Sequence, residues 1–193
     1  MKKTLYLLLT LFLISCENNS SNADIFSNRD INFKKLSLGD NKSYEDKHHI
    51  SNIKVKLIPL YNSIKLSDKE KNCIIENTGY AKDLYYIDSM FLNESKETTC
   101  FVGYMPKNKN SLDNLIAYIN SMNHDNNILK NYFIVNGNKN IQYKIQLQDT
   151  ILFFVIFESK NSNYLVLSYT FPSYNDYDSM YSIANSINSV EFY

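Results

Sequence analysis

The chain has 193 residues, with 20 basic against 20 acidic side chains, 44% hydrophobic residues, four Gly and no Trp. Zero net charge leaves no basic stripe for a nucleic-acid backbone, and so few glycines argue against a glycine-built phosphate cradle. About 150 folded residues suffice for one domain with a real core.

The N-terminus opens Met1-Lys2-Lys3 and continues through residues 5–14 almost without a polar side chain. A positive start and a short apolar run make a secretory leader, too short to span a bilayer. The run closes on Leu13-Ile14-Ser15-Cys16. This resembles the lipobox of bacterial lipoproteins, with small Ser15 at the cut and the Cys16 thiol as acyl acceptor. The competing reading is an ordinary signal peptide with a coincidental cysteine. The resemblance implies residues 1–15 as signal peptide, 16–50 as lipidated N-terminus and tether, and 51–193 as a single domain. It also implies an extracytoplasmic protein of the bacterial cell envelope, membrane-bound through its lipid. At about 0.8 kcal/mol per buried methylene, two or three acyl chains make that attachment stable. Removing Lys2 and Lys3 from the 20 basic residues leaves 18 against 20 acidic ones, so the mature chain stays near neutral.

From Glu17 the tether is polar and aperiodic, ending near His48-His49. Adjacent residues on a strand point to opposite faces, so the two histidines read as surface residues and not as a metal pair. Residues 53–59 alternate over Ile53, Val55 and Leu57 up to Pro59, which predicts a half-buried strand. Residues 61–66 are expected as its hairpin partner. Ser67-Asp68-Lys69-Glu70 matches a capping box and predicts a helix over 68–77, with Gly79 as its stop. Residues 84–92 and 98–105 read as strands. Leu112, Leu115, Ile116, Ile119 and Met122 fall on one helical face, predicting a helix over 112–122 capped by Ser111.

Four strands are expected next, over 129–135, 141–147, 151–158 and 164–171, with Asn136-Gly137 as a hairpin turn. Their short connections require antiparallel pairing. The run 151–157 is apolar on both faces, so its strand is interior and covered above and below. After Pro172, Asn175 or Asp176 caps a last helix carrying Tyr177, Met180, Ile183, Ala184, Ile187 and Val190 on one face. The pattern predicts an α+β fold, an antiparallel sheet flanked by helices on both faces.

Cys73 and Cys100 remain once Cys16 is acylated. Their spacing fits no zinc or redox motif, leaving a disulfide or two buried free thiols as alternatives. His124-Asp125 is the one pair that invites a hydrolase test, against a solvated helix end. No other nucleophile, metal or cofactor motif is present, and no catalytic residue, metal or cofactor is assigned.

The ending, a tyrosine-rich strand over 164–172 and then Ile183-Ala184-Asn185-Ser186-Ile187-Asn188-Ser189-Val190-Glu191-Phe192, resembles the close of the PsbP/Mog-like superfamily. Residues 54–59 resemble that family's opening strand, and 111–119 its Ser-Leu-acidic helix; the family's usual Trp after the first Pro is absent. The resemblance implies an α/β/α sandwich that binds proteins and does not catalyse. The expected function is therefore a lipid-anchored, non-catalytic accessory module with an envelope protein partner. A lipid or small-molecule carrier using the aromatic-rich sheet is the alternative.

Overall fold

The structure is a computed structural model that describes residues 47–78, 83–93, 97–123, 127–135, 138–159 and 161–193. Cys16, the tether up to residue 46, Gly79, His124-Asp125 and Asn136-Gly137 lie outside the described residues. Among the described residues, ten strands and three α-helices follow in the order β1 (His48–Ile50), β2 (Val55–Leu57), β3 (Ile64–Lys65), α1 (Asp68–Thr78), β4 (Tyr86–Asn93), β5 (Thr98–Pro106), α2 (Lys109–Ser121), β6 (Ile128–Val135), β7 (Asn138–Leu147), β8 (Thr150–Glu158), β9 (Asn163–Pro172), α3 (Asp176–Asn188) and β10 (Glu191–Phe192). None of the described helices is long and apolar enough to cross a membrane.

Seven strands form one antiparallel sheet in the order β3-β4-β5-β9-β8-β7-β6. Two meanders, β3–β5 and β6–β9, join along β5 and β9. Between them α2 carries the chain from the middle of the sheet to its far edge. Period-two alternation then divides the side chains. Tyr143, Ile145, Leu152, Phe154 and Ile156 point to one face, where Leu115 and Ile119 of α2 and Ile74 and Ile75 of α1 cover them. On the other face Tyr169 bonds Ser186 of α3, and Lys144 reaches Asp176 in that helix's first turn. All of Ile151 to Phe157 is buried, which explains an unbroken apolar run: β8 has a layer on each side. The fold is the α+β arrangement expected, with helices on both faces.

The second sheet is small, β1-β2-β10, with β2 in the middle. Ile50, Ile53, Val55 and Leu57 are almost wholly buried there, and Phe192 packs edge-on to Phe157 at 6.4 Å. Ser189 fixes the end of α3 to this sheet by accepting from the Ile58 N–H at 2.7 Å.

Local differences from the sequence reading have physical causes. The first described strand is His48–Ile50. The strand expected over 53–59 shortens to Val55–Leu57, because Ser51–Ile53 forms a 3₁₀ turn closed by Lys54 at φ 50. Only Ile64–Lys65 of the expected hairpin partner pairs, and its neighbour is β4, not β2. The capping box is present: Glu70 accepts from the Ser67 N–H at 2.9 Å, and Ser67 Oγ accepts from the Glu70 N–H. Helix α2 starts at Lys109, earlier than expected, because Asn108 is its cap and accepts from the Ser111 N–H at 2.8 Å.

Candidate functional site

Strand β4 carries the one break in register along the β4–β5 ladder. Ile87 faces Gly103 and Ser89 faces Val102, so Asp88 is an extra residue, a β-bulge. Bulges re-aim side chains and gather near functional sites. This one turns Asp88 toward His48 of β1, whose Nε2 lies 3.0 Å from Asp88 Oδ2 and 3.0 Å from Ser89 Oγ. Ser89 Oγ in turn donates to Asp88 Oδ2 at 2.6 Å, and the His48 ring stands edge-on to Phe91 at 5.2 Å. The hydrogen bond from His48 holds the Asp88 carboxyl below the usual aspartate range, against partial burial that pushes it up; the bond from Ser89 and the charge of Lys65 add to the lowering.

His, Asp and Ser in one cluster invite comparison with a nucleophile relay. A relay needs the carboxylate on one ring nitrogen and the hydroxyl on the other, with the hydroxyl giving its proton to the ring. Here a single nitrogen meets both groups, the hydroxyl donates to the carboxylate, and Ser89 is only 1% exposed. The arrangement clamps the first strand of the small sheet to the bulge of the large one.

Beside the clamp, α1 and β4 enclose a half-open cleft of about 470 Å³ lined by Asp68, Lys71, Asn72, Ile75, Tyr85 and Tyr86. Its cation is already engaged: Lys71 Nζ donates to the Asp88 carbonyl at 2.8 Å and pairs with Asp68 at 3.0 Å. Gly103 lies beneath Tyr85, whose ring occupies the space a side chain would take.

The two cysteines are free thiols, so the disulfide alternative is not realised. Cys73 is exposed on α1 and accepts from the Asn77 amide at 3.3 Å. Cys100 is wholly buried in β5 beside Tyr169, and burial pushes its thiol far up, which leaves it unreactive. A bridge would have to join an exposed helix position to the interior of the sheet. His49 lies near the ring of Tyr193 at 6.2 Å, apart from the His48 cluster. Among the described residues no three His, Cys, Asp or Glu side chains gather closely enough to hold a metal ion.

Among the described residues, the most exposed large hydrophobic side chains are tyrosines. Tyr174, Tyr177 and Tyr181, spaced three and four apart, are 80%, 76% and 50% exposed on the outer side of α3 and the turn before it. Tyr174 donates to Glu97 at 2.6 Å, and Asp178 lies in the first turn. Tyrosine is enriched at protein interfaces because it adds large contact area with a polar tip. Sequence reasoning placed Tyr177 on the buried face with Met180, Ile183 and Ile187, but it is 76% exposed and lies with Tyr181 on the flank of that face.

No family model and no curated protein matches the chain. Among solved structures it is similar to the solution structure of cyanobacterial PsbP (CyanoP) from Synechocystis sp. PCC 6803, with a TM-score of 0.51 at 9% identity, over 81% of this chain and 99% of that one. At that identity the likeness concerns the fold, which is PsbP-like.

Proposed function

We propose that this chain is a lipid-anchored accessory module of the bacterial cell envelope that binds a protein partner and performs no reaction of its own. The observation that carries the reading is the PsbP-like fold, since its family resemblance implies binding proteins. The lipobox ending at Cys16 supplies the anchor in this reading, and residues 17–47 the spacer. The tyrosine row on α3 supplies a surface suited to a partner. A polar cleft whose lysine is already paired suits a surface recess better than an acyl chain, which favours a protein partner over the carrier alternative.

The test is cross-linking on intact cells followed by capture of the full chain, beside Cys16→Ala and a Tyr177→Ala, Tyr181→Ala pair. Enrichment of one envelope protein, reduced by the tyrosine pair and lost with Cys16→Ala, is the expected result. Recovery of lipid without a protein would favour the carrier. Membrane retention of the Cys16→Ala chain would refute the anchor.

A further inference from the structure

Residues 161–193 hold three acidic side chains, Asp176, Asp178 and Glu191, and no Lys or Arg. Two of the acids are matched from elsewhere in the chain: Lys144 reaches Asp176, and Lys47 and Lys56 reach Glu191. Asp178 is exposed beside the tyrosines, and among the described residues no cation pairs with it. Positions three and four apart are neighbours on a helix, so Tyr181 has both Asp178 and Tyr177 beside it. At the start of the row Tyr174 holds a second exposed carboxylate, Glu97, through its 2.6 Å hydrogen bond. The outer face of α3 thus presents phenol rings and carboxylates, with no base contributed by the helix itself.

We propose that this face binds a basic, arginine-bearing segment of the protein partner, a guanidinium lying on Tyr177 or Tyr181 with Asp178 at its edge. Recognition of this kind rests on the accessory reading and gives the partner its chemistry. Charge complementarity decides the occupant. A tyrosine ring attracts a cation over its face, and a carboxylate beside the ring adds a charged acceptor. Arg meets both demands better than Lys, because its planar group stacks on the ring and donates to a carboxylate as a fork. A second copy presenting the same face would bring Asp178 and Glu97 against their own counterparts, like charge to like. An acidic segment would meet the same repulsion. Tyrosine adds large contact area at a low cost in side-chain entropy, which suits a face that is exposed before the partner arrives.

The test is titration of the full chain, in detergent, into a dye-labelled octapeptide alternating Arg and Gly, read by fluorescence anisotropy. Octapeptides with Lys or Glu in place of Arg run beside it. The Arg peptide is expected to bind most tightly, the Lys peptide less, and the Glu peptide not at all. The Tyr177→Ala, Tyr181→Ala pair should weaken the Arg peptide about 5- to 30-fold, from two exposed cation–ring contacts. Asp178→Asn should weaken it about two- to fivefold, and more at low salt. Glu76→Gln removes one exposed negative charge from α1, on the opposite face of the sheet, and should change nothing. Circular dichroism of each variant checks that the fold is kept. No binding of the Arg peptide, equal binding of the Glu peptide, a folded tyrosine pair that binds like the parent, or a loss with Glu76→Gln equal to that with Asp178→Asn would each overturn the proposal. A parent that sediments as a dimer, dissociated by the tyrosine pair, would place a second copy on the face and overturn it too. In-cell capture reports on the accessory reading separately. An envelope protein depleted by the tyrosine pair, with no peptide binding, would sink the basic segment alone; peptide binding with no captured protein would count against the accessory role and not against the recognition chemistry.

Discussion

Replacing Gly103 by alanine tests the geometry beneath the bulge. Glycine in a strand interior is ordinarily unfavourable, and Gly→Ala at a compatible position stabilises by about 0.4–1 kcal/mol. Here the sign reverses. A Cβ on Gly103 would lie 2.4 Å from the Tyr86 carbonyl oxygen and 2.7 Å and 2.9 Å from two carbons of the Tyr85 ring. Tyr85 is 5% exposed and packed in the cluster with Ile87, Met90 and Phe101, so turning its ring aside gives up that packing. Moving the Tyr86 carbonyl instead disturbs the ladder at Tyr86–Tyr104 and Ile87–Gly103. Overpacking costs about 1–3 kcal/mol, and each weakened backbone bond about 1 kcal/mol. The expected loss is roughly 3 kcal/mol, or a fall in melting temperature of roughly 6–12 °C for a domain of this size. Urea unfolding followed by circular dichroism measures it. Because Asp88 follows Ile87 directly, the imidazole resonances of His48 should shift as well. A Gly103→Ala chain as stable as the parent, with His48 resonances unchanged, would refute the packing argument.

Asp88 adds a pH prediction. Its folded carboxyl lies below the ordinary value, so its contribution to stability is full above the unfolded aspartate range, near about pH 4, and is lost as pH falls through the lowered folded value. The stability difference between the parent and Asp88→Asn should be constant at neutral pH and shrink in acid; a difference that grows in acid would contradict the clamp. Thiol alkylation read by peptide mass should modify Cys73 in the native chain and Cys100 only after unfolding; a Cys73–Cys100 disulfide peptide would refute the thiol placement. Lys144 is 9% exposed and donates to Asp176 at 2.7 Å, so Asp176→Ala strands a buried ammonium and should cost about 2–4 kcal/mol, with Lys144→Met, Asp176→Ala together costing less. A double-variant loss equal to the sum of the Asp176→Ala and Lys144→Met losses would show that the pair is not coupled.

The sheet was legible where local pattern and tertiary environment agree. Strands β6 to β9 follow from alternation and short turns, β8 from its two apolar faces, and α1 from the reciprocal bonds of Ser67 and Glu70. The insertion of β5 beside β9 was not legible, because pairing across 57 to 71 residues leaves no local mark. Strands β1 and β10 are too short for any periodicity. The bulge did leave a trace: Tyr85 and Ile87 share a face with Met90, a step of three where a regular strand keeps a step of two. Asp88 was still missed as a partner for His48, since the contact spans 40 positions. Asn108 was passed over as the cap of α2 because the apolar periodicity starts only at Leu112.

The most direct measurement of the central claim is in-cell cross-linking capture of the full chain compared with the Tyr177→Ala, Tyr181→Ala pair. An accessory module predicts one envelope protein recovered with the parent and depleted with the tyrosine pair, while both chains remain equally folded and membrane-associated. Equal recovery from both chains, or recovery of lipid with no protein, would contradict it.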